Sequence, residues 1–246
     1  MIDVHCHIDQ FPNPFEIAKK AERDGIITIA VTNLPDHFKL GYPHLLNFKK
    51  VRLALGFHPI IAGKKRFDEK LFKSLASKTS YIGEIGLDFS QDDNLKRRNQ
   101  INTLKKILQI INDRPRFISL HSRKAEKALF DLLVENEIKN AVFHWYSGPL
   151  TLIDKAVNAG YHFSINPAMI KTQKGHKIIE RIPPERILTE TDGPYVKIKG
   201  RPAEPGDVIL IMEYLKDVWN TSLENAGKKI HQNFNTLIER IFSKAK

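Results

Sequence analysis

Apolar and β-branched residues gather in short runs along the chain, at residues 2–7, 27–32, 52–58, 81–87, 117–121, 141–144, 161–165 and 186–191. Runs of this length and composition predict strands. Most of the intervals between them carry apolar residues three and four apart, the spacing that lines one side of an α-helix. Helices are therefore predicted at 15–23, 71–77, 95–112, 125–135, 150–158 and 208–219, while residues 35–49 show the spacing least clearly. A last amphipathic stretch, 223–242, sets Leu223, Ala226, Ile230, Phe234, Leu237 and Ile241 on one side and is expected to pack without taking part in chemistry. Eight strands alternating with helices predict an α/β fold, a TIM (β/α)8-like barrel with its strands parallel. No composition shift, repeat or low-complexity run divides the chain, so a single domain over 1–246 is expected.

Composition agrees with that expectation. The 246 residues match the length at which such a barrel closes, and 41% hydrophobic with 27% charged residues is the profile of a folded globular protein. Cys6 is the only cysteine, which excludes an intramolecular disulfide. The start of the chain shows no basic leader before an apolar run, and no stretch of ~18 uncharged apolar residues exists, so a cytoplasmic protein with no membrane partner is expected. The formal charge of +11, from 39 Lys and Arg against 28 Asp and Glu, favours a polyanionic partner, for which DNA is the natural candidate. The same charge also serves solubility. Its distribution in short clusters, at 49–50, 64–66, 96–98 and 171–177, suits a folded surface better than a basic arm.

The placement of imidazoles and carboxylates carries more information than their number. His5 and His7 close the first predicted strand, Glu84 lies in the fourth, His121 ends the fifth, His144 ends the sixth and Asp192 follows the eighth. In a parallel barrel all carboxyl ends of strands meet at one face, where such folds build their sites. Strand alternation points His5 and His7 to one side and Cys6 to the other, so the pair offers two nitrogens to one cation and Cys6 is expected to be buried. One histidine in an apolar strand is ordinarily a core residue, whereas six candidates at one end of the strands indicate a metal site. Imidazole mixed with carboxylate suits zinc, manganese or iron, and suits magnesium less well.

The blocks IDVHCHID, GFHP, GEIGLDF, SLHSR, FHWYSG and TETDGPY, in this order and spacing from Ile2 to about Pro205, resemble the signature of TatD-type deoxyribonucleases, a family of amidohydrolase-like barrels. The late NFNTLI resembles that family's terminal helix. The resemblance implies two divalent metal ions, zinc, manganese or magnesium. His5, His7, Glu84 and Asp192 would hold one, and Glu84, His121 and His144 the other, with Glu84 bridging. A carboxylate has the two oxygens needed to bridge cations ~3.5–4 Å apart. Asp192 would also take a proton from the attacking water, so Asp192 and Glu84 are the expected catalytic residues.

Other positions have two readings each. His58 could contact a substrate phosphate or orient its loop, and Arg123 could hold a phosphate bidentately or form a surface ion pair. Glu190, on Asp192's side by alternation, is expected to orient a ligand, and Asp88 could do the same or cap a loop. The chain departs from the family pattern at Gly193, at Ala203 to Pro205 and at Leu104, positions that bear on substrate preference more than on metals. The expected activity is a metal-dependent nuclease acting on DNA, 3′-to-5′ on single-stranded or nicked strands. Two alternatives remain open at this point: an ester or amide hydrolase on the same barrel, and a nucleic-acid-binding subunit of a larger assembly.

Overall fold

The computed structural model of the protein describes residues 1–242. Eight short strands run parallel, each pairing with the next in chain order: β1 Ile2–Cys6, β2 Ile27–Ala30, β3 Val51–Leu53, β4 Tyr81–Gly86, β5 Phe117–His121, β6 Ala141–His144, β7 His162–Ile165 and β8 Ile187–Thr189. Regular ladders join β1 to β3 and β4 to β8. Two seams complete the ring. Past β3 the chain stays extended, and Leu55 bridges Ile82, its N–H donating to Tyr81 O at 3.0 Å while its own carbonyl accepts from Gly83 N at 2.9 Å.

The second seam joins β8 to β1 and rests on a buried carboxylate. Asp3 Oδ1 accepts from His5 N at 3.1 Å and Thr191 N at 3.0 Å, and Oδ2 accepts from the Thr191 hydroxyl at 2.5 Å. Asp192 N then donates to His5 O at 2.9 Å, and His7 N to Gly193 O at 2.7 Å. These bonds bring Asp3, His5 and His7 against Thr191, Asp192 and Gly193.

The helices are α1 Pro14–Arg23, α2 Pro35–Leu45, α3 Pro59–Ala62, α4 Glu69–Ala76, α5 Asn94–Ile111, α6 Glu126–Glu135, α7 Leu150–Asn158, α8 Gln173–Arg181, α9 Ile209–Val218 and α10 Leu223–Phe242. Their buried faces, for example Leu104, Ile107, Leu108 and Ile111 of α5, join the strand residues Ile2, Val4, Ile29, Ile118 and Phe143 in one apolar core. Each fully buried Leu or Ile contributes ~1.5–3 kcal/mol. The weakly periodic stretch 35–49 does fold as a helix up to Leu45, with Pro35 in its first turn and Phe38 buried. Helix α8 was not expected: only Ile178 and Ile179 are apolar and buried on it, and its start is defined instead by Thr172, whose hydroxyl accepts from Gly175 N at 3.0 Å. The hairpin β9 Lys197–Ile198 with β10 Arg201–Pro202 was likewise invisible to periodicity, being two residues a side. Among the described residues no helix is long and apolar enough to cross a membrane.

Candidate metal centre

Two glycines set how closely the strand ends approach. A Cβ on Gly56 would sit 1.7 Å from Thr32 O and 2.5 Å from Glu84 N, and one on Gly86, at φ +142°, would sit 2.0 Å from His121 O. Only glycine permits those approaches, which bring β4, with Glu84, against its neighbours. The six residues singled out for metal then converge at the carboxyl ends. His5 Nε2 and His7 Nε2 face each other at 3.2 Å, and both lie 3.7 Å from Asp192 Oδ1. Glu84 Oε2 stands 3.2 Å from His7 Nε2 and 3.8 Å from His5 Nε2, while Oε1 stands 2.6 Å from His121 Nδ1 and 3.0 Å from His144 Nε2. Glu84 thus touches both halves of the cluster, one oxygen to each. Cys6 takes no part, its thiol buried and turned toward Gly193 O.

Three of the four histidines are fixed at their outer nitrogens by polar partners, while His7 Nδ1 is buried without one. His5 Nδ1 meets Ser119 Oγ at 2.7 Å, His121 Nε2 meets Asp88 Oδ2 at 2.9 Å and His144 Nδ1 meets Glu190 Oε1 at 3.3 Å. Glu190 is itself buried and accepts from Asn166 Nδ2 at 3.0 Å, from Trp145 N at 3.2 Å and from the Ser164 hydroxyl. Anchoring the outer nitrogen turns the inner lone pair toward the cluster, the arrangement by which a protein presents imidazole to a cation. Asp88 plays both parts considered for it, since its Oδ1 also accepts from Ser90 N at 2.8 Å.

His58 is caught in a different geometry. Its Nδ1 accepts from Ile60 N at 3.2 Å, capping the short helix α3, and its Nε2 stands 3.4 Å from Glu84 Oε2. An Nδ1 that accepts leaves the proton of a neutral ring on Nε2. His58 therefore presents an N–H to the cluster and no lone pair, although His58, Glu84 and His121 lie close enough to be counted with groups able to hold a metal. The ring orients its loop and offers a donor to the pocket at once.

Electrostatics divides the cluster. Burial pushes the His5 and His58 rings toward the neutral form, His58 down to about 4. Burial opposes protonation of His121 and His144 as well, but Glu84 with Asp88 in one case and Glu190 with Glu84 in the other outweigh it, and His121 rises to about 8. Burial alone would raise Glu84, yet His58, His121 and His144 hold it well below the usual carboxylate range. Asp192 has the opposite fate, burial pushing it up to about 7. So many imidazoles converging with carboxylates in a buried place form a donor set of the N and O type that divalent transition cations prefer. The residues fit such ions.

Above the cluster opens a cavity of 640 Å³, lined among others by His58, Arg123, Trp145 and Tyr195. Arg123 is exposed there and, among the described residues, forms no ion pair. Matched against protein families, residues 2–239 fit the family described as TatD related DNase. The chain belongs to that family. Membership makes it an enzyme of the DNase class. It is 29% identical over 243 residues to the uncharacterized metal-dependent hydrolase MJ1582 of Methanocaldococcus jannaschii, covering 94% of each chain. It is 24% identical to the deoxyribonuclease TATDN3 of Homo sapiens, covering 95% of this chain and 92% of that one. Among solved structures it superposes on YJJV, a TatD homolog from Escherichia coli, with a TM-score of 0.86 at 23% identity, covering 96% of this chain and 97% of the other, a likeness of fold.

Two departures from the TatD pattern are one feature in space. A Cβ on Gly193 would lie 2.0 Å from the backbone carbonyl oxygen of the buried Ala203, so the two positions meet through the main chain and a serine at 193 has no room while that backbone keeps its place. Sequence reasoning passed over Ser119, Asn33, Tyr195 and Trp145. Ser119 could have been found by alternation, since it shares a strand face with His121. Asn33 Nδ2 donates to the Tyr195 hydroxyl at 3.2 Å, a contact between residues far apart in sequence that no local pattern announces.

Proposed function

We propose that this TatD-family enzyme hydrolyses phosphodiester bonds of DNA with two divalent cations, removing nucleotides 3′-to-5′ from single-stranded or nicked strands. The observation that carries the reading is Glu84, whose two oxygens face two separate sets of imidazoles. His5, His7, Glu84 and Asp192 would hold one cation, and Glu84, His121 and His144 the other. When bound, zinc, manganese or magnesium supplies Lewis acidity toward a phosphoryl oxygen and toward water.

The chain's own groups complete the chemistry. Ser119, Asp88 and Glu190 hold the rings of His5, His121 and His144 in place by their outer nitrogens. Asp192, with its Oδ1 3.7 Å from both His5 Nε2 and His7 Nε2, takes the proton of the attacking water. The Nε2–H of His58 and the guanidinium of Arg123 receive the non-bridging phosphate oxygens. A pocket at a barrel end admits a strand terminus more readily than a continuous duplex, which supports exonuclease action on a free or nicked end. The formal charge of +11 supports a polyanionic substrate. The absence of a membrane-spanning helix among the described residues is compatible with work in the cytoplasm.

The test is digestion of 3′- and 5′-labelled single-stranded and nicked DNA by purified protein with manganese or magnesium. Stepwise loss from the 3′ end is expected, abolished in His7→Ala. DNA left intact, or cut equally by wild type and His7→Ala, defeats the reading.

A further inference from the structure

Trp145 combines three features that packing alone does not call for. Its side chain is 39% exposed although it borders a buried cluster. Its backbone sits at φ +39°, in the left-handed region that a bulky residue rarely enters. Among the described residues its indole stacks on no other ring and its ring N–H has no acceptor. The conformation is held from below: the Trp145 backbone N–H donates to Glu190 at 3.2 Å, the same buried carboxylate that anchors His144. Strain of this kind persists where surrounding structure over-determines it, and it gathers at ligand-holding positions. Tyr195, the other large ring on the cavity, is occupied already, its hydroxyl bonded to Asn33 and its ring edge-on to His7 at 5.0 Å between centroids.

We infer that Trp145 is the platform on which the nucleobase beside the scissile phosphate stacks, which makes it a specificity-determining residue for unpaired strand ends. The inference rests on the phosphodiesterase reading above and deepens it. Trp145 lines the same cavity as His7, Glu84, His121, His144 and Asp192, so a base lying on the indole would keep its own phosphate within that cavity, beside the metal ligands. A π-face is common to every base, so the contact tolerates any sequence. It discriminates by base accessibility instead, because the faces of a base inside a duplex are covered by its neighbours.

Substitution by asparagine, which accepts a left-handed backbone, removes the ring without refolding the turn. For Trp145→Asn we expect KM on a single-stranded oligonucleotide to rise about tenfold, with kcat within about twofold, as the loss of one base stack gives. On an oligonucleotide abasic at the two 3′-terminal positions, Trp145→Asn and wild type should show equal KM, and Trp145→Phe should stay within about threefold of wild type on both. The chain has two tryptophans, so in Trp219→Phe the remaining emission reports on Trp145. A hydrolysis-resistant oligonucleotide should quench it in the metal-loaded protein, and the abasic counterpart should not. An unchanged KM in Trp145→Asn, an equal rise on both substrates, or absent or base-independent quenching overturns the inference while cleavage itself leaves the nuclease reading standing. Base-dependent quenching without cleavage of any substrate defeats the nuclease reading and keeps Trp145 as a base platform.

Discussion

The two ends of the barrel use buried polarity in opposite ways. At the carboxyl end, buried polar side chains meet one another, imidazole nitrogen against carboxylate oxygen, around Glu84. At the amino end Arg116 and Asn233 reach main-chain carbonyls instead. Arg116, 2% exposed, donates to Ala76 O at 2.7 Å and Thr79 O at 2.5 Å and pairs with Asp113. Asn233 of α10 donates to Pro184 O at 2.7 Å and Ile187 O at 2.8 Å, tying that helix to the start of β8. Carbonyls that the turns leave free are satisfied below, and charges are left facing each other above. One end is arranged for stability and the other for chemistry, a division that the parallel barrel makes possible because loops at its two ends do not share residues.

This contrast can be broken most directly at Glu84. Glu84→Gln is expected to cut DNA digestion by about a thousandfold or more and to lower bound metal, without lowering the thermal midpoint. Unfolding of that variant would erase the distinction between the ends. Arg116→Met is the converse case: two carbonyls and Asp113 lose a charged donor, and a loss of ~1–3 kcal/mol in denaturant unfolding is expected with kcat unchanged.

The pH dependence of stability separates the ends further. His162, at the amino end of β7, is pushed down to about 3, first by burial and then by Arg186 and Arg240. Between that value and its ordinary 6.5 the unfolded chain binds a proton that the folded chain does not. Stability from this group is therefore complete above pH 6.5 and is lost as the pH falls toward 3, by up to about 1.4 kcal/mol per pH unit. His162→Gln should show a correspondingly shallower fall in melting temperature over that window, and an identical slope would remove His162 from the account. The smallest effect belongs to the pocket rim. Arg123→Gln should raise KM about fivefold and reduce the slope of log affinity against log salt by about 0.7, the value of one phosphate contact on a single strand. An unaltered salt slope would place Arg123 outside the phosphate path.

The chain by itself determined the barrel and the positions of its ligand candidates. Alternation put His5 and His7 on one side of β1, and the common direction of parallel strands carried Glu84, His121, His144 and Asp192 to the same end. These are consequences of local periodicity and chain direction, which a linear reading contains. Helix α8 escaped because its apolar face is two residues wide and its start depends on one hydroxyl. Only the tertiary structure decided which nitrogen each imidazole offers. His58 became a donor because Ile60 N occupies its Nδ1, and His5 is aimed by Ser119, 114 positions away. The left-handed turn at Trp145 likewise depends on a carboxylate 45 positions further on. Such roles arise from contacts across the barrel, where sequence distance carries no record of spatial distance.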